Sequence, residues 1–154
     1  TVALNKIISP FYWLNIMDID KYSFVGVFEH KHLNHMLNVP SIMFIVKYLN
    51  VSDAFWQKND DEIVDQFLND LGDLFQEDVK SKMLWWRLHR APYSTPLYTP
   101  GYGNYMPSVE SPIKGLYIAG ISRTYPRDRY MGTALWTGLQ AANKILEQEG
   151  NWSP

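Results

Sequence analysis

The stretch Gly115-Leu116-Tyr117-Ile118-Ala119-Gly120, followed after a polar loop by Met131-Gly132-Thr133-Ala134-Leu135-Trp136-Thr137-Gly138-Leu139-Gln140-Ala141-Ala142, is the most informative part of this chain. Leu116 to Ala119 is an uninterrupted apolar run, the pattern of a strand covered on both faces, and Pro112 and Gly115 punctuate its entry. Gly120 lets the backbone turn sharply and lets a ligand come close. Met131, Ala134, Leu135, Gly138, Ala141, Ala142, Ile145 and Leu146 fall on one helical stripe, whose small residues permit close packing. In open α/β sheets a ligand lies beyond the carboxyl ends of the strands, so a bound group is expected around Gly120 to Arg129. The first amides of the helix, at Met131 and Gly132, would offer it unpaired donors.

Upstream of this unit the pattern is that of an antiparallel sheet. Strands are expected over Val2 to Ile8, Phe11 to Ile16, Tyr22 to His30 and Ser41 to Leu49, since each is rich in β-branched, aromatic or other apolar residues. Within the third, alternation puts Phe24, Gly26 and Phe28 on one face and Val25 and Val27 on the other. The link from Lys31 to Pro40 is long for a hairpin, but local connections favour antiparallel pairing. A helix then begins at Asn59. Glu62 completes a capping box, Asp60 and Asp61 suit the positive helix end, and Ile63, Phe67, Leu71 and Leu74, joined by Leu68 and Phe75, form its buried stripe. Lys82 to Arg90 returns as a strand with Met83, Trp85, Arg87 and His89 on one side, so Trp85 and Trp86 point to opposite faces and at least one is core. From Ala91 to Pro112 five prolines exclude a regular element. The fold class is α+β.

Composition narrows the function. The formal net charge is -2 and the basic residues are scattered, so the electrostatic footprint of a nucleic-acid binder is missing. There is no cysteine, hence neither a disulfide framework nor a thiolate metal site, and redox chemistry would need a borrowed cofactor. No apolar run approaches the roughly 20 residues of a membrane span, and the first residues lack signal-peptide features. A soluble, cytoplasmic chain is expected. Asn50-Val51-Ser52 and Asn151-Trp152-Ser153 match the glycosylation pattern, which is too short and common to carry weight.

The strand-and-helix pair resembles the C-terminal flavin-contacting segment of the flavin-dependent amine oxidase superfamily, which includes protoporphyrinogen oxidases and carotenoid desaturases. More loosely, Tyr12-Trp13-Leu14-Asn15-Ile16, Phe28-Glu29-His30 and Ala91-Pro92 look like substrate-domain segments of bacterial protoporphyrinogen-oxidase-like proteins. The resemblance implies that residues 1–112 are a portion of a substrate domain, and that 113–150 are the last strand and helix of an FAD-binding domain. It implies FAD as cofactor, with contacts at Gly120, Ile121, Tyr125, Pro126, Arg129, Met131 and Gly132. The amides of Met131 and Gly132 would meet the flavin pyrimidine carbonyl. Many relatives carry an acidic residue directly after the Ala-Gly of the strand; here Ile121 stands there, and Ser122 or Arg123 are the available replacements.

The strand-Gly-x-Gly-x-x-Gly motif that binds the nucleotide in such enzymes is absent. The chain is therefore expected to be a C-terminal fragment whose partner is an N-terminal FAD-binding portion. By itself it should bind FAD weakly or not at all. In the intact enzyme a small-molecule substrate would lose hydride to the flavin from a carbon next to nitrogen or from a carbon-carbon bond. No catalytic base is readable.

Other readings are weaker. Tyr93, Tyr98, Tyr102 and Tyr105 crowd the proline-rich coil, where Tyr98 and Tyr102 either line a substrate pocket or pack the coil. Gly101-Tyr102-Gly103-Asn104 lacks the third glycine and the helix of a phosphate loop and reads as a turn. His30 and His32 would share a strand face, with His35 nearby, but no carboxylate or thiol spacing completes a metal set. The principal alternative to an oxidoreductase is a non-enzymatic domain whose aromatic coil binds a peptide or glycan.

Overall fold

A computed structural model of the chain describes residues 1–36 and 38–148; the Asn151-Trp152-Ser153 motif lies outside the described residues. The chain divides into two compact units, Thr1–Pro92 and Tyr93–Pro154. The first holds β1 (Val2–Leu4), β2 (Trp13–Asn15), β3 (Gly26–Glu29), β4 (Ser41–Val46), the short α1 (Ala54–Gln57), α2 (Asp60–Phe75), the short α3 (Val79–Lys82) and β5 (Met83–Trp86). The second holds one long helix, α4 (Met131–Gln148). The five strands form a single antiparallel sheet in the order β2-β3-β4-β1-β5, as the α+β reading requires.

α2 explains why one sheet face is core. Asn59 accepts from the Glu62 amide at 2.9 Å while the Glu62 side chain accepts from the Asn59 amide at 3.1 Å, a complete capping box. Ile63, Val64, Phe67, Leu68 and Leu71 then point inward against Val2, Leu4, Val27 and Met43. The helix ends at Gln76, which takes a left-handed conformation with φ 53°. The cross-strand pairs Trp13↔Phe28, Phe28↔Phe44 and Ala3↔Trp85 place these aromatic rings on the opposite sheet face.

The structure corrects four local expectations in this unit. Phe24 precedes β3 and is fully buried against Phe67, 6.0 Å between ring centroids, so it joins the core with Val27 and does not share the Phe28 face. β5 carries a bulge: Leu4 pairs with Met83 but Ala3 with Trp85. The extra residue breaks the alternation, so Met83 and Trp86 both pack on the core while Leu84 and Trp85 stay exposed. The strand also stops at Trp86, and Arg87 and His89 lie beyond it. His30 and His32 sit in a 3₁₀ turn, His30–His32, where no strand face exists; the His30 ring meets Phe44 edge-on and His32 Nε2 lies 2.9 Å from the Ser9 carbonyl oxygen.

Glu29 is a fully buried carboxylate at the end of β3. It is satisfied locally, accepting the Ser41 hydroxyl at 2.5 Å and the Lys31 amide at 3.1 Å, so it ties β4 to the start of that turn. On the surface, Glu77 lies 2.8 Å from both the Lys6 and Lys82 ammonium groups.

Two outcomes test this unit. Leu71 is completely buried, and Leu71→Ala should cost about 2–5 kcal/mol in urea denaturation, from lost burial plus the cavity left behind. Hydrogen bonds from Lys6 and then Lys82 hold the Glu77 carboxyl down to about 2 from its ordinary 4.5. A carboxyl with a lower pKa in the folded state stabilises the fold above the unfolded value, and that contribution is lost as pH falls from 4.5 towards 2. Glu77→Gln should therefore flatten this part of the acid limb of a stability-versus-pH curve, and an unchanged limb would count against the paired geometry.

Candidate functional site

The second unit is built around the turn at Gly120. Leu116 to Ala119 does not form the strand its apolar run suggests. Tyr117 makes a single antiparallel bridge to Glu110, flanked by hydrogen bonds from the Ile118 amide to the Val109 carbonyl (2.7 Å) and from the Ser111 amide to the Leu116 carbonyl (3.1 Å). A strand covered on both faces needs ladder partners on both sides, and Leu116 and Ala119 are exposed. Gly120 adopts φ 124°, ψ -170°, a region closed to residues with a side chain. A Cβ there would meet nothing within 4 Å, so the glycine is required by the backbone and the space beside it is open.

Thr137 ties this turn to the helix. Its hydroxyl, fully buried, accepts the Gly120 amide at 2.8 Å and donates to the Ala134 carbonyl at 2.7 Å. One turn earlier the Thr133 hydroxyl donates to the Asp128 and Tyr130 carbonyls at 2.6 and 2.8 Å. The buried face of α4 is consequently Thr133, Thr137 and Ala141. The expected stripe is corrected: Met131, Leu135, Gly138, Ala142 and Leu146 face solvent, because the loop packs on the threonine side where hydroxyls satisfy its backbone.

The loop itself is a 3₁₀ turn, Ile121–Arg123, running into Thr124, Tyr125 and a cis Tyr125-Pro126 bond. Tyr98 donates to the Ile121 carbonyl at 2.6 Å, its hydroxyl also lying 2.6 Å from Thr124 Oγ1, and Tyr102 donates to the Ser122 carbonyl at 2.8 Å. The rings of Tyr98, Tyr102 and Tyr125 cluster, with centroids 4.6 to 5.5 Å apart. Gly101-Tyr102-Gly103-Asn104 is a 3₁₀ turn that presents Tyr102 to this cluster. Arg129 donates to Thr95 Oγ1 and the Pro96 carbonyl at 2.6 and 3.0 Å. Arg123 is buried, its guanidinium turned inward to the Pro107 and Ile118 carbonyls at 2.9 and 3.3 Å, and Ile121 is exposed.

Gly120, Ile121, Tyr125, Pro126, Arg129, Met131 and Gly132 thus lie on one loop and the helix start that follows it, braced by Tyr98 and Tyr102. At that start the Ala134 amide bonds to the Tyr130 carbonyl, whereas the Met131 and Gly132 amides have no acceptor among the described residues. Met131 is 80% exposed, and a Cβ on Gly132 would come within 3.0 Å of the Tyr130 ring. Two donors at the positive end of an 18-residue helix are suited to an electron-rich acceptor. Sequence reasoning missed Thr133, Thr137 and the inward turn of Arg123; the i, i+4 threonine spacing was the one signal on offer.

Residues 12–146 match the family described as flavin containing amine oxidoreductase, and the chain belongs to that family. Its relatives include the 15-cis-phytoene desaturase, chloroplastic/chromoplastic, of Solanum lycopersicum, 29% identical over 104 residues, covering 62% of this chain and 17% of that protein. The protein of the same name from an Oncidium hybrid cultivar is 28% identical over 104 residues with the same coverage. The chain thus spans about a sixth of the length of these curated relatives. No solved structure gives a significant match.

Thr137→Val, which keeps the shape but orphans the Gly120 amide, should destabilise the second unit by about 1–3 kcal/mol. Gly138→Ala should instead stabilise it by about 0.5–1 kcal/mol, because its added Cβ meets nothing within 4 Å and a mid-helix glycine is entropically costly. Hydrogen exchange of the α4 amides in both variants checks the pair of signs.

Proposed function

We propose that this chain is the C-terminal part of a flavin-dependent oxidoreductase, that its partner is an N-terminal FAD-binding portion, and that the start of α4 serves the flavin. The observation that carries this reading is the pair of unpartnered amides at Met131 and Gly132, inside the stretch that matches the family. The open space beside Gly120 supports it, since a bound group needs room where the loop leaves the helix face. When bound, FAD supplies the hydride-accepting chemistry.

The chain's own residues bind and orient. In this reading Met131 and Gly132 donate to the pyrimidine carbonyl region and favour the negative charge that reduction places there, a helix-end effect of about half an elementary charge. Tyr98 and Tyr102 hold Ile121, Ser122 and Thr124 in place and form the wall behind the loop, on the substrate side. Tyr125, Pro126 and Arg129 complete that loop, and Leu116 to Ala119 gains its ladder neighbours from the N-terminal portion. The relatives are named as desaturases, which supports hydride and proton removal across a carbon-carbon bond over oxidation next to nitrogen. An apolar substrate suits the first unit, whose sheet turns Trp13, Phe28, Phe44 and Trp85 away from α2. Tyr93 and Tyr105, 93% and 81% exposed, are the one feature that favours the peptide- or glycan-binding alternative.

The expected result for the chain alone is flavin binding weaker than about 1 μM by fluorescence titration and calorimetry, because the glycine-rich nucleotide loop is not part of it. In the intact protein, Gly132→Val should lower flavin occupancy or reduction potential more than Lys144→Ala, since a branched side chain crowds the donor pair. Equal occupancy and potential in the two variants would remove Met131 and Gly132 from the site, and glycan or peptide binding by the chain alone would favour the alternative.

A further inference from the structure

A cavity of about 210 Å³ opens at the end of β4, where Leu49, Phe55, Trp56, Ile63, Phe67 and Leu88 line it. Its walls are apolar, but its rim is cationic. Lys47 and Arg90 border it, and the ammonium groups of Lys47 and Lys58 lie 5.0 and 5.1 Å from the centroid of the same Phe55 ring. Arg90 is neutralised by Asp60 at 2.7 Å and also donates to the Lys58 carbonyl at 2.8 Å. Lys47 and Lys58 are different: among the described residues neither has a carboxylate within ion-pair distance.

With each ammonium about 5 Å from the same ring centroid the two are at most about 10 Å apart, about a Debye length at 0.1 M salt, so their repulsion is only partly screened. The Phe55 π-face offsets part of this, but its own ring is stacked on Phe67 at 5.6 Å and forms the cavity wall. An anion at the rim relieves the repulsion, and an apolar body attached to it fills the cavity. Dry apolar cavities of about 150 Å³ accept a benzene ring. The volume here fits one ring or a short chain carrying a carboxylate.

We propose that the first unit binds a small apolar monocarboxylate, its body among Leu49, Phe55, Ile63 and Phe67 and its carboxylate between Lys47 and Lys58. This site is independent of the flavin reading. It draws on the Coulomb attraction of two otherwise unpaired ammonium groups and on burial of the ligand's apolar part.

The test is amide chemical-shift perturbation of the whole chain with phenylacetate, hexanoate, phenylacetamide and inorganic phosphate. Phenylacetate or hexanoate should shift Lys47, Phe55, Lys58 and Ile63 with a Kd in the millimolar range or tighter, the better of the two telling whether a ring or a chain is preferred. The neutral amide should bind about tenfold more weakly, as should phenylacetate to Lys47→Gln/Lys58→Gln. Leu49→Trp, which fills the cavity from a half-buried wall position, should abolish binding while both lysines remain. The proposal is overturned if neither carboxylate moves these signals up to about 50 mM. It is equally overturned if the amide or inorganic phosphate binds as well as phenylacetate, or if the double lysine variant binds unchanged. Single Lys58→Gln, at a half-buried position over the Phe55 ring, gives the same discrimination should the double variant fold poorly.

Discussion

The hydroxyl of Thr137 is the constraint on which the candidate site depends. A buried threonine can satisfy one donor and one acceptor at once, and here it takes the Gly120 amide and gives to the Ala134 carbonyl. Without it the Gly120 amide, in a turn whose φ of 124° already precludes regular pairing, would be orphaned. The bond fixes the entrance of the loop against the second turn of α4. Thr133 fixes its exit, and Tyr98 and Tyr102 clamp its middle from the proline-rich coil. A loop held at entrance, middle and exit has few ways to move, which makes its junction with the helix a fixed platform for the Met131 and Gly132 donors.

The same threonines explain why α4 is apolar on the side it leaves exposed. Hydroxyls in a helix are tolerated on a buried face when they bond the preceding turn, and that face then accepts a polar loop. Leu135, Leu139 and Leu146, 70%, 59% and 66% exposed, are left on the other side. A helix with a hydroxyl-lined face and an opposing leucine face is suited to be covered twice, once by its own loop and once by something else. The bridge at Tyr117 makes the matching point for the Leu116 to Ala119 run: an apolar stretch of strand character that finds one strand partner among the described residues.

What could be read from the sequence follows the range of the interactions involved. The capping box at Asn59 and Glu62, the buried stripe of α2 and the antiparallel character of the sheet are local or periodic, and they stand as expected. The bulge at Leu84 could not be read, because it is decided by register against β1, and one extra residue reverses every alternation beyond it. Phe24 departs from the alternation for a related reason: the chain leaves ideal strand geometry before Gly26, so period-2 counting from Phe28 gives the wrong face. In the second unit the loop and helix start were legible from Gly120 and the Met131-Gly132 pair. The buried helix face was not, since an Ala/Leu/Gly stripe outweighs two threonines on any hydrophobicity count, and only the hydrogen-bond requirements of the neighbouring loop reverse the choice.

Charge around the loop completes the physical picture. Arg123, Arg127 and Arg129 all precede α4, and each is held by uncharged partners: backbone carbonyls for Arg123, the Trp136 ring at 4.4 Å for Arg127, and Thr95 with Pro96 for Arg129. Among the described residues none of the three is in an ion pair, and Asp128 is the one carboxylate between them, so a net positive charge remains beside the positive end of the helix dipole, in a chain whose net charge is -2. Arg123 shows what this arrangement excludes. Its guanidinium is buried and already bonded to two carbonyls, so it contributes field and not a contact, and an acidic residue at the neighbouring position 121 would cancel part of that field. Donors and charges fixed in advance need no reorganisation when negative charge develops nearby, which is where a preorganised site gains over water. With Ile121 rather than a carboxylate after Gly120, Asp128 is the acidic residue of a loop that carries three arginines, so the loop stays net positive, and the direction of that charge is to favour whichever state of a nearby group is more negative.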